Sequence, residues 1–190
     1  MIKNHSRAYW FGASDTAMIM GRWDTQSFYK WWLVKCGAMP TPTWSTKAMR
    51  AGTHYEHRIL DALGIAKRDR QIRIRRLRLR VNLDGEDKKT VHEVKTHGKP
   101  KFSVSKAYWQ QAQVEMYATK KMLVINAYHL TEEDYNNYFN EIDKERLSEH
   151  PIEYDKAWIK EQYLPRLKYL ARCLRHHKQP KESELLEAYR

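Results

Sequence analysis

The segment 67–83 alternates apolar residues with arginines, and this alternation predicts β-structure. Ile72 and Ile74 follow one parity, and Leu77 begins the other after a slip at Arg75–Arg76. Period-2 alternation is typical of a strand with one face on the core, and a change of parity indicates a bulge or a tight turn between two strands. The arginine face is either solvated or follows a phosphate backbone, and the pattern alone does not choose between these two readings.

Apolar residues at helical spacing predict helices on both sides of this segment. Thr46–Leu63 carries Glu56 close to its apolar stripe, so that carboxylate must find a cation or face a cleft. Lys121–Leu130 is apolar enough for a strand inside a sheet. Thr131–Asp134 resembles a capping box, which would start a helix there, and a strand over Tyr135–Asp143 is the alternative. The other predicted helices are Thr16–Met20 with Ser14 or Asp15 as its N-cap, Ser27–Lys35, Lys106–Thr119, and a long helix from Asp155 that Pro165 should kink.

Strands between helices predict an α/β domain. A chain of 190 residues suits one domain with a proper core. We expect a helical N-terminal part over 1–66, a sheet core over 67–154, a C-terminal helix over 155–178 and a solvated, frayed tail over 179–190.

The net charge of the chain predicts the kind of partner that it binds. The chain has 35 lysines and arginines against 23 acidic residues, a net charge of +12. Such a field attracts polyanions, so nucleic acid is the expected partner, and a generic basic surface is the alternative. Cys36 and Cys173 are predicted to be free thiols in a reducing cytoplasm. Neither a membrane span nor an export signal is indicated, because no apolar run approaches about 18 residues.

Candidate chemistry lies in the segment Leu83–Lys95, which reads LDGEDKKTVHEVK. Strand alternation puts Glu93 and Lys95 on one face, and the polar turn before them brings Asp84 back beside them. Two carboxylates and a lysine make a hard-oxygen site for Mg²⁺ with a cation that can orient water. An ordinary hairpin turn with a surface charge pair is the alternative interpretation.

The spacing of these residues resembles the core of the PD-(D/E)XK nuclease superfamily, although Leu83 stands where that family often has proline. The order of five short segments resembles one branch of it, the lambda-exonuclease/YqaJ-like phage alkaline exonucleases. The resemblance implies a central mixed β-sheet flanked by helices, with a restriction-endonuclease-like core. The five segments are Arg7 with Gly12–Asp15, Gly52–Glu56, Leu83–Gly85, Glu93–Lys95, and Tyr108–Gln113 followed by Met116.

The resemblance also implies roles for individual residues. Asp84, Glu93 and the main-chain carbonyl of Val94 would hold one Mg²⁺, and Glu56 would help to bind a second, with Mn²⁺ as a substitute. Lys95 would position or activate the attacking water. Gln111, favoured over Gln113, would steady Lys95 or that water, and Arg7 and Ser14 would receive the 5′-phosphate of the digested strand.

The implied activity is a Mg²⁺-dependent 5′→3′ exonuclease that digests one strand of double-stranded DNA and leaves a 3′ single-stranded tail. Family likeness further implies a ring-shaped homotrimer, a single-strand annealing protein as partner, and a phage or prophage origin in a bacterial cytoplasm. Two alternatives stay open: an endonuclease of the same superfamily, restriction-type or structure-specific, and a non-catalytic basic DNA-binding protein.

Overall fold

The structure, a computed structural model, describes residues 7–187, with side chains through Leu185. The helices are α1 (Thr16–Met20), α2 (Gln26–Lys35), α3 (Lys47–Ala62), α4 (Lys106–Thr119), α5 (Glu132–Asn136), α6 (Lys156–Trp158), α7 (Leu164–Arg175) and α8 (Glu182–Glu187). The strands are β1 (Lys67–Arg68), β2 (Gln71–Ile74), β3 (Leu79–Asn82), β4 (Gly85–Glu86), β5 (Thr90–His97), β6 (Met122–His129) and β7 (Leu147–Ile152).

Five strands form a mixed sheet in the order β1-β4-β5-β6-β7. Only β5 and β6 pair in parallel; the other neighbours are antiparallel. The strands β2 and β3 form a separate antiparallel hairpin. The parity slip is a 3₁₀ turn, Arg75–Leu77, that ends at Arg78 in a left-handed conformation with φ 51°. The predictions of a mixed sheet and of two strands joined by a tight turn are confirmed.

Helices α3 and α4 cover opposite faces of the sheet because alternate residues of β5 and β6 are apolar on both sides. Val91 and Ile125 pack in a cluster with Val114 of α4. Val94 packs in a second cluster with Tyr55 of α3. A strand that is buried on both faces is typical of a sheet interior, so β5 is held rigidly, and its side chains have fixed directions.

The start of α1 differs from its predicted capping. Ser14 lies inside a 3₁₀ turn, and the Asp15 side chain makes no capping bond to α1. Asp15 instead accepts hydrogen bonds from the Gly12 amide at 2.6 Å, the Trp31 indole at 2.9 Å and the Lys35 ammonium at 2.5 Å. Asp15 is the N-cap residue of α1, one of the two predicted alternatives, but the predicted capping bond from its side chain is not formed, because Gly12 and the partners on α2 take the carboxylate.

A π-helical segment, Ile159–Tyr163, leads into α7, and Pro165 lies in the first turn of α7, where a missing amide donor is tolerated. The kink at Pro165 stays a prediction. The tail is not frayed throughout: α8 forms there, and Leu185 is buried. The Glu184 carboxylate accepts a hydrogen bond from Tyr169 at 3.0 Å, which ties α8 to α7. The expectation of a solvated tail from residue 179 is therefore wrong over this helix.

Two further expectations can be compared with the structure. Cys36 and Cys173 are free thiols, as predicted. The short helix α5 begins at the Thr131–Asp134 capping box, with Thr131 as its N-cap, so the helical alternative holds there. Among residues 7–187, no helix combines the length and the apolar character that crossing a bilayer requires.

Candidate active site

Strand β5 presents Glu93 and Lys95 on the face that α4 covers. The Lys95 ammonium lies 2.5 Å from Glu93 Oε1 and 5.0 Å from the centre of the Tyr108 ring. Glu93 is only 3% exposed, although it is a charged residue. Charged groups are buried to this extent when they are paired or bind an ion, so the burial marks this pair as more than a surface ion pair.

Asp84 joins this pair because β4 is short and antiparallel to β5. Asp84 precedes Gly85, which pairs with His92. The Asp84 carboxylate accepts a hydrogen bond from the Val94 amide at 2.9 Å. This bond fixes the carboxylate against the β5 backbone between Glu93 and Lys95, in agreement with the predicted juxtaposition.

Glu56 reaches the same place through the packing of α3 on Gly85. Leu60 packs directly on Gly85: a Cβ at Gly85 would lie 2.7 Å from Leu60 Cδ2, so a side chain there would require Leu60 to shift. Residues four apart share a helix face, and Glu56 therefore points to the Asp84 side of α3. Glu56 and Asp84 line one cleft of about 310 Å³. The structure thus brings the helical glutamate to the hairpin acids.

Gln111 completes the group from α4. Its amide nitrogen lies 2.6 Å from Glu93 Oε1, and its amide oxygen lies 3.5 Å from the Lys95 ammonium. Gln113 is fully buried elsewhere: its amide bonds the Glu153 carbonyl and the Asp155 amide, both at 2.7 Å. Of the two glutamines, Gln111 is the one at the carboxylates, and Gln113 holds the chain that leads into α6.

Mutual repulsion dominates the electrostatics of this group. Burial and the charges of Glu93 and Glu56 raise the pKa of Asp84 well above its usual value. Burial and Glu93 also raise the pKa of Glu56. Burial alone would lower the pKa of Lys95, but Glu93 and Asp84 outweigh it and raise that pKa. One lysine does not neutralise this many carboxylates, so the group favours a further cation.

The donor set fits a divalent cation. Glu93 Oε2 is buried without a hydrogen-bond partner among the described residues, which is costly for an ionised oxygen unless an ion binds it. Carboxylate oxygens are the ligands that Mg²⁺ prefers. Glu56, His57 and Asp69 also place one ligand atom each within 4.8 Å of one another.

The motifs did not single out three neighbours of the site. His57 and Asp69 form a pair, with His57 Nε2 3.1 Å from Asp69 Oδ2, and both line the Asp84 cleft. Glu115 is fully buried and contacts Gln111. Only the position of Glu115, one turn after Gln111 on α4, could have indicated it from the sequence.

Arg7 and Ser14 lie apart from the Asp84 cleft, whose lining includes neither of them. Both are exposed. Arg7 lines a second cleft of about 290 Å³ together with Lys35. Ser14 and Arg80 both lie close to Gly12: a Cβ at Gly12 would be 3.5 Å from Ser14 Oγ and 3.8 Å from the Arg80 carbonyl oxygen. Burial, with the positive charges of Arg7 and Arg80, lowers the pKa of Lys35, while the paired Asp15 carboxylate acts in the opposite direction.

Solved structures provide the comparison with known proteins. No protein-family model matches the chain, and no curated protein matches it. The alkaline exonuclease LHK-Exo of Laribacter hongkongensis, in complex with dAMP, has a TM-score of 0.62 at 19% identity over 96% of this chain and 92% of that one. A second structure of LHK-Exo has a TM-score of 0.60 at 18% identity, over 96% and 93%.

A phage-related exonuclease of Haemophilus somnus 129PT gives a TM-score of 0.58 at 14% identity, over 87% of this chain and 92% of that one. These likenesses extend over 87% to 96% of this chain. The chain therefore has the restriction-endonuclease-like fold of these exonucleases, as the resemblance to the lambda-exonuclease/YqaJ branch implied.

Proposed function

We propose that the protein is a metal-dependent deoxyribonuclease that digests one strand of linear double-stranded DNA in the 5′→3′ direction and leaves a 3′ single-stranded tail. The proposal depends on one observation: three carboxylates, those of Asp84, Glu93 and Glu56, lie together with a single lysine, Lys95, at one site. The fold shared with exonucleases supports it, and the net charge of +12 suits a DNA partner.

Two Mg²⁺ ions are the proposed cofactors. Asp84, Glu93 and the Val94 carbonyl would hold one, and Glu56 would hold the second, directly or through water. When bound, such ions generate a nucleophilic water near neutral pH and relieve charge on the leaving 3′ oxygen. The buried Glu93 oxygen without a partner and the raised pKa of Asp84 support this assignment.

Lys95 and Gln111 supply the positioning in this proposal. The Lys95 ammonium carries three donors on a flexible stem. Its contacts with Glu93 and Gln111 restrict that stem, so that the remaining donor capacity is directed at the attacking water or at the scissile phosphate. Orientation of this kind reduces the entropy that the reaction must lose on reaching its transition state.

Arg7 and Ser14 are the proposed ligands of the 5′-phosphate, which would make digestion start at a 5′ end. Arg7 and Arg80 add positive charge beside the Lys35–Asp15 pair, and this charge would favour an anion there. A homotrimeric ring around the DNA, a single-strand annealing partner and a role in phage-type recombination are proposed from the resemblance alone.

The direct test uses end-labelled linear duplex and covalently closed circular duplex, each with Mg²⁺. We expect the linear duplex to shorten from its 5′ ends and the circle to remain intact. Cleavage of the circle would favour the endonuclease alternative. Binding of both DNAs without cleavage of either would favour a non-catalytic DNA-binding protein.

Arg7→Ala tests the direction of digestion. We expect it to reduce the preference for 5′-phosphorylated over 5′-hydroxyl ends by about tenfold or more, because charge-assisted bonds to phosphate contribute roughly 1.5–3 kcal/mol. Lys30→Ala is the matched control, since Lys30 lines the same cleft and is also exposed. Equal rates on both kinds of end in the unmutated protein would contradict the phosphate site.

A further inference from the structure

Glu115 lies beneath the proposed active site and has no assigned role. It follows Gln111 by one turn of α4 and is fully buried. Its Oε1 accepts a hydrogen bond from Gln111 Nε2 at 2.8 Å. The same nitrogen lies 2.6 Å from Glu93 Oε1. Two carboxylates from different elements therefore share one amide nitrogen.

This sharing determines how the Gln111 amide is oriented. An amide nitrogen has two hydrogens, and Glu93 and Glu115 take one each. The amide oxygen is then left to face the Lys95 ammonium at 3.5 Å. The flipped amide would set its oxygen against two carboxylate oxygens and its NH₂ group against an ammonium, and every one of these contacts would be repulsive.

We propose that Glu115 is a positioning residue, which holds the Gln111 amide with its oxygen toward Lys95 and thereby keeps the ammonium at the reacting groups. This role rests on the proposed nuclease function. Glu93 alone cannot hold the Gln111 amide in this orientation, because Glu93 also pairs with Lys95 and is a proposed metal ligand. Glu115 supplies the acceptor that is not shared with Lys95 in the structure.

Burying the Glu115 carboxylate costs free energy that a purely structural residue would not need to cost. Its Oε2 is buried without a partner among the described residues, and burial and Glu93 raise its pKa well above the usual value. An apolar side chain of similar volume would avoid these costs. We therefore expect Glu115→Leu to fold and to unfold at a temperature no lower than that of the unmutated protein.

Two substitutions separate the acceptor from the charge. Glu115→Leu removes the acceptor, and we expect kcat to fall by about 100-fold with KM for DNA ends changed less than about threefold, because a displaced positioning group costs rate more than binding. Glu115→Gln keeps an oxygen that can accept from Gln111, and we expect kcat within about threefold of the unmutated value. Gln113→Leu, on the same helix but bonded to Glu153 and Asp155, is the control and should retain kcat.

A measurement without activity keeps this inference separate from the nuclease proposal. In metal-free protein, ¹⁵N NMR should show the two side-chain amide protons of Gln111 protected from exchange in the unmutated protein and in Glu115→Gln, and unprotected in Glu115→Leu. Absence of nuclease activity from the unmutated protein would reject the proposed function, while this spectrum would still test the orientation. Unchanged protection in Glu115→Leu, or an equal loss of kcat in Glu115→Gln and Glu115→Leu, would overturn the role of Glu115.

Discussion

Two groups of buried carboxylates differ in what neutralises them. Asp134 is 1% exposed and accepts bonds from Arg146 at 2.5 Å and from the amide and hydroxyl of Thr131 at 2.7 and 2.9 Å. These donors outweigh its burial and lower its pKa to about 2. Asp84 has one backbone donor and faces Glu93, and burial together with that charge raises its pKa. The first group is neutralised by its own donors, whereas in the second the carboxylates outnumber the one lysine among them, which supports the proposed cation there.

The difference supports a structural role for the Asp134 group and the proposed metal-binding role for the Asp84 group. Asp134 joins α5 to Arg146 in the 3₁₀ turn before β7, and its network includes Tyr55 of α3. Such a network stabilises the fold only while every member is present. The Asp84 group destabilises the metal-free fold by repulsion, a cost that is expected at sites built for ion binding. Substitutions should therefore affect the two groups in opposite ways.

Catalytic rate should show the largest difference. We expect Asp84→Asn, Glu93→Gln and Lys95→Ala each to lower kcat by at least about 10³-fold, since they remove groups from the reacting centre. Asp134→Asn should leave kcat per folded molecule within about threefold, because Asp134 touches none of these groups. Steady-state digestion of 5′-phosphorylated linear duplex measures both, and normal activity in any of the first three variants would remove the proposed site.

Stability should change in the opposite order. Asp134→Asn leaves Arg146, 21% exposed, without its main carboxylate partner. We expect it to lower the free energy of unfolding by about 3 kcal/mol, because an uncompensated charge in a largely buried pair is costly. Asp84→Asn should raise that free energy in metal-free buffer. Urea unfolding in a chelator gives both values, and a loss of stability in Asp84→Asn would contradict the repulsion.

The pH dependence of folding stability should also differ between the two groups, and this is the smallest of the expected effects. The pKa of Asp84 is higher in the folded than in the unfolded chain, so the folded state binds more protons and loses stability as pH rises above about 4. The stability advantage of Asp84→Asn should therefore grow with pH. Asp134 has the opposite sign, and its contribution should disappear as pH falls from about 4 toward about 2. Thermal unfolding of Asp84→Asn above about pH 4, and of Asp134→Asn between about pH 4 and about pH 2, checks the two signs.

Local patterns in the sequence predict much of this molecule. The bounds of α4, Lys106–Thr119, agree with the predicted helix, and the alternation of Val91 to Lys95 agrees with β5. Both follow from periodicity within one element. The approach of Glu56 to Asp84 is not a local property, since it depends on the packing of Leu60 against Gly85, and the family resemblance alone implied it.

Sequence patterns did not predict the contacts whose partners come from distant elements of the chain. Asp15 resembled a helix cap, but Lys35 and Trp31 of α2 take its carboxylate. No pattern within α4 indicates that Glu93 lies opposite Glu115, because Glu93 belongs to β5. Tertiary contacts decide such cases, and single-sequence periodicity does not contain them.

Metal binding tests the central claim most directly. Titration of Mn²⁺ into the chain, followed by the electron paramagnetic resonance signal of the free ion, should give two bound ions per chain for the unmutated protein and for Asp134→Asn. Asp84→Asn should bind at least about tenfold more weakly, because it removes a charged ligand from the site. Equal binding by Asp84→Asn, or no binding by the unmutated protein, would contradict the assignment of these buried carboxylates to divalent cations.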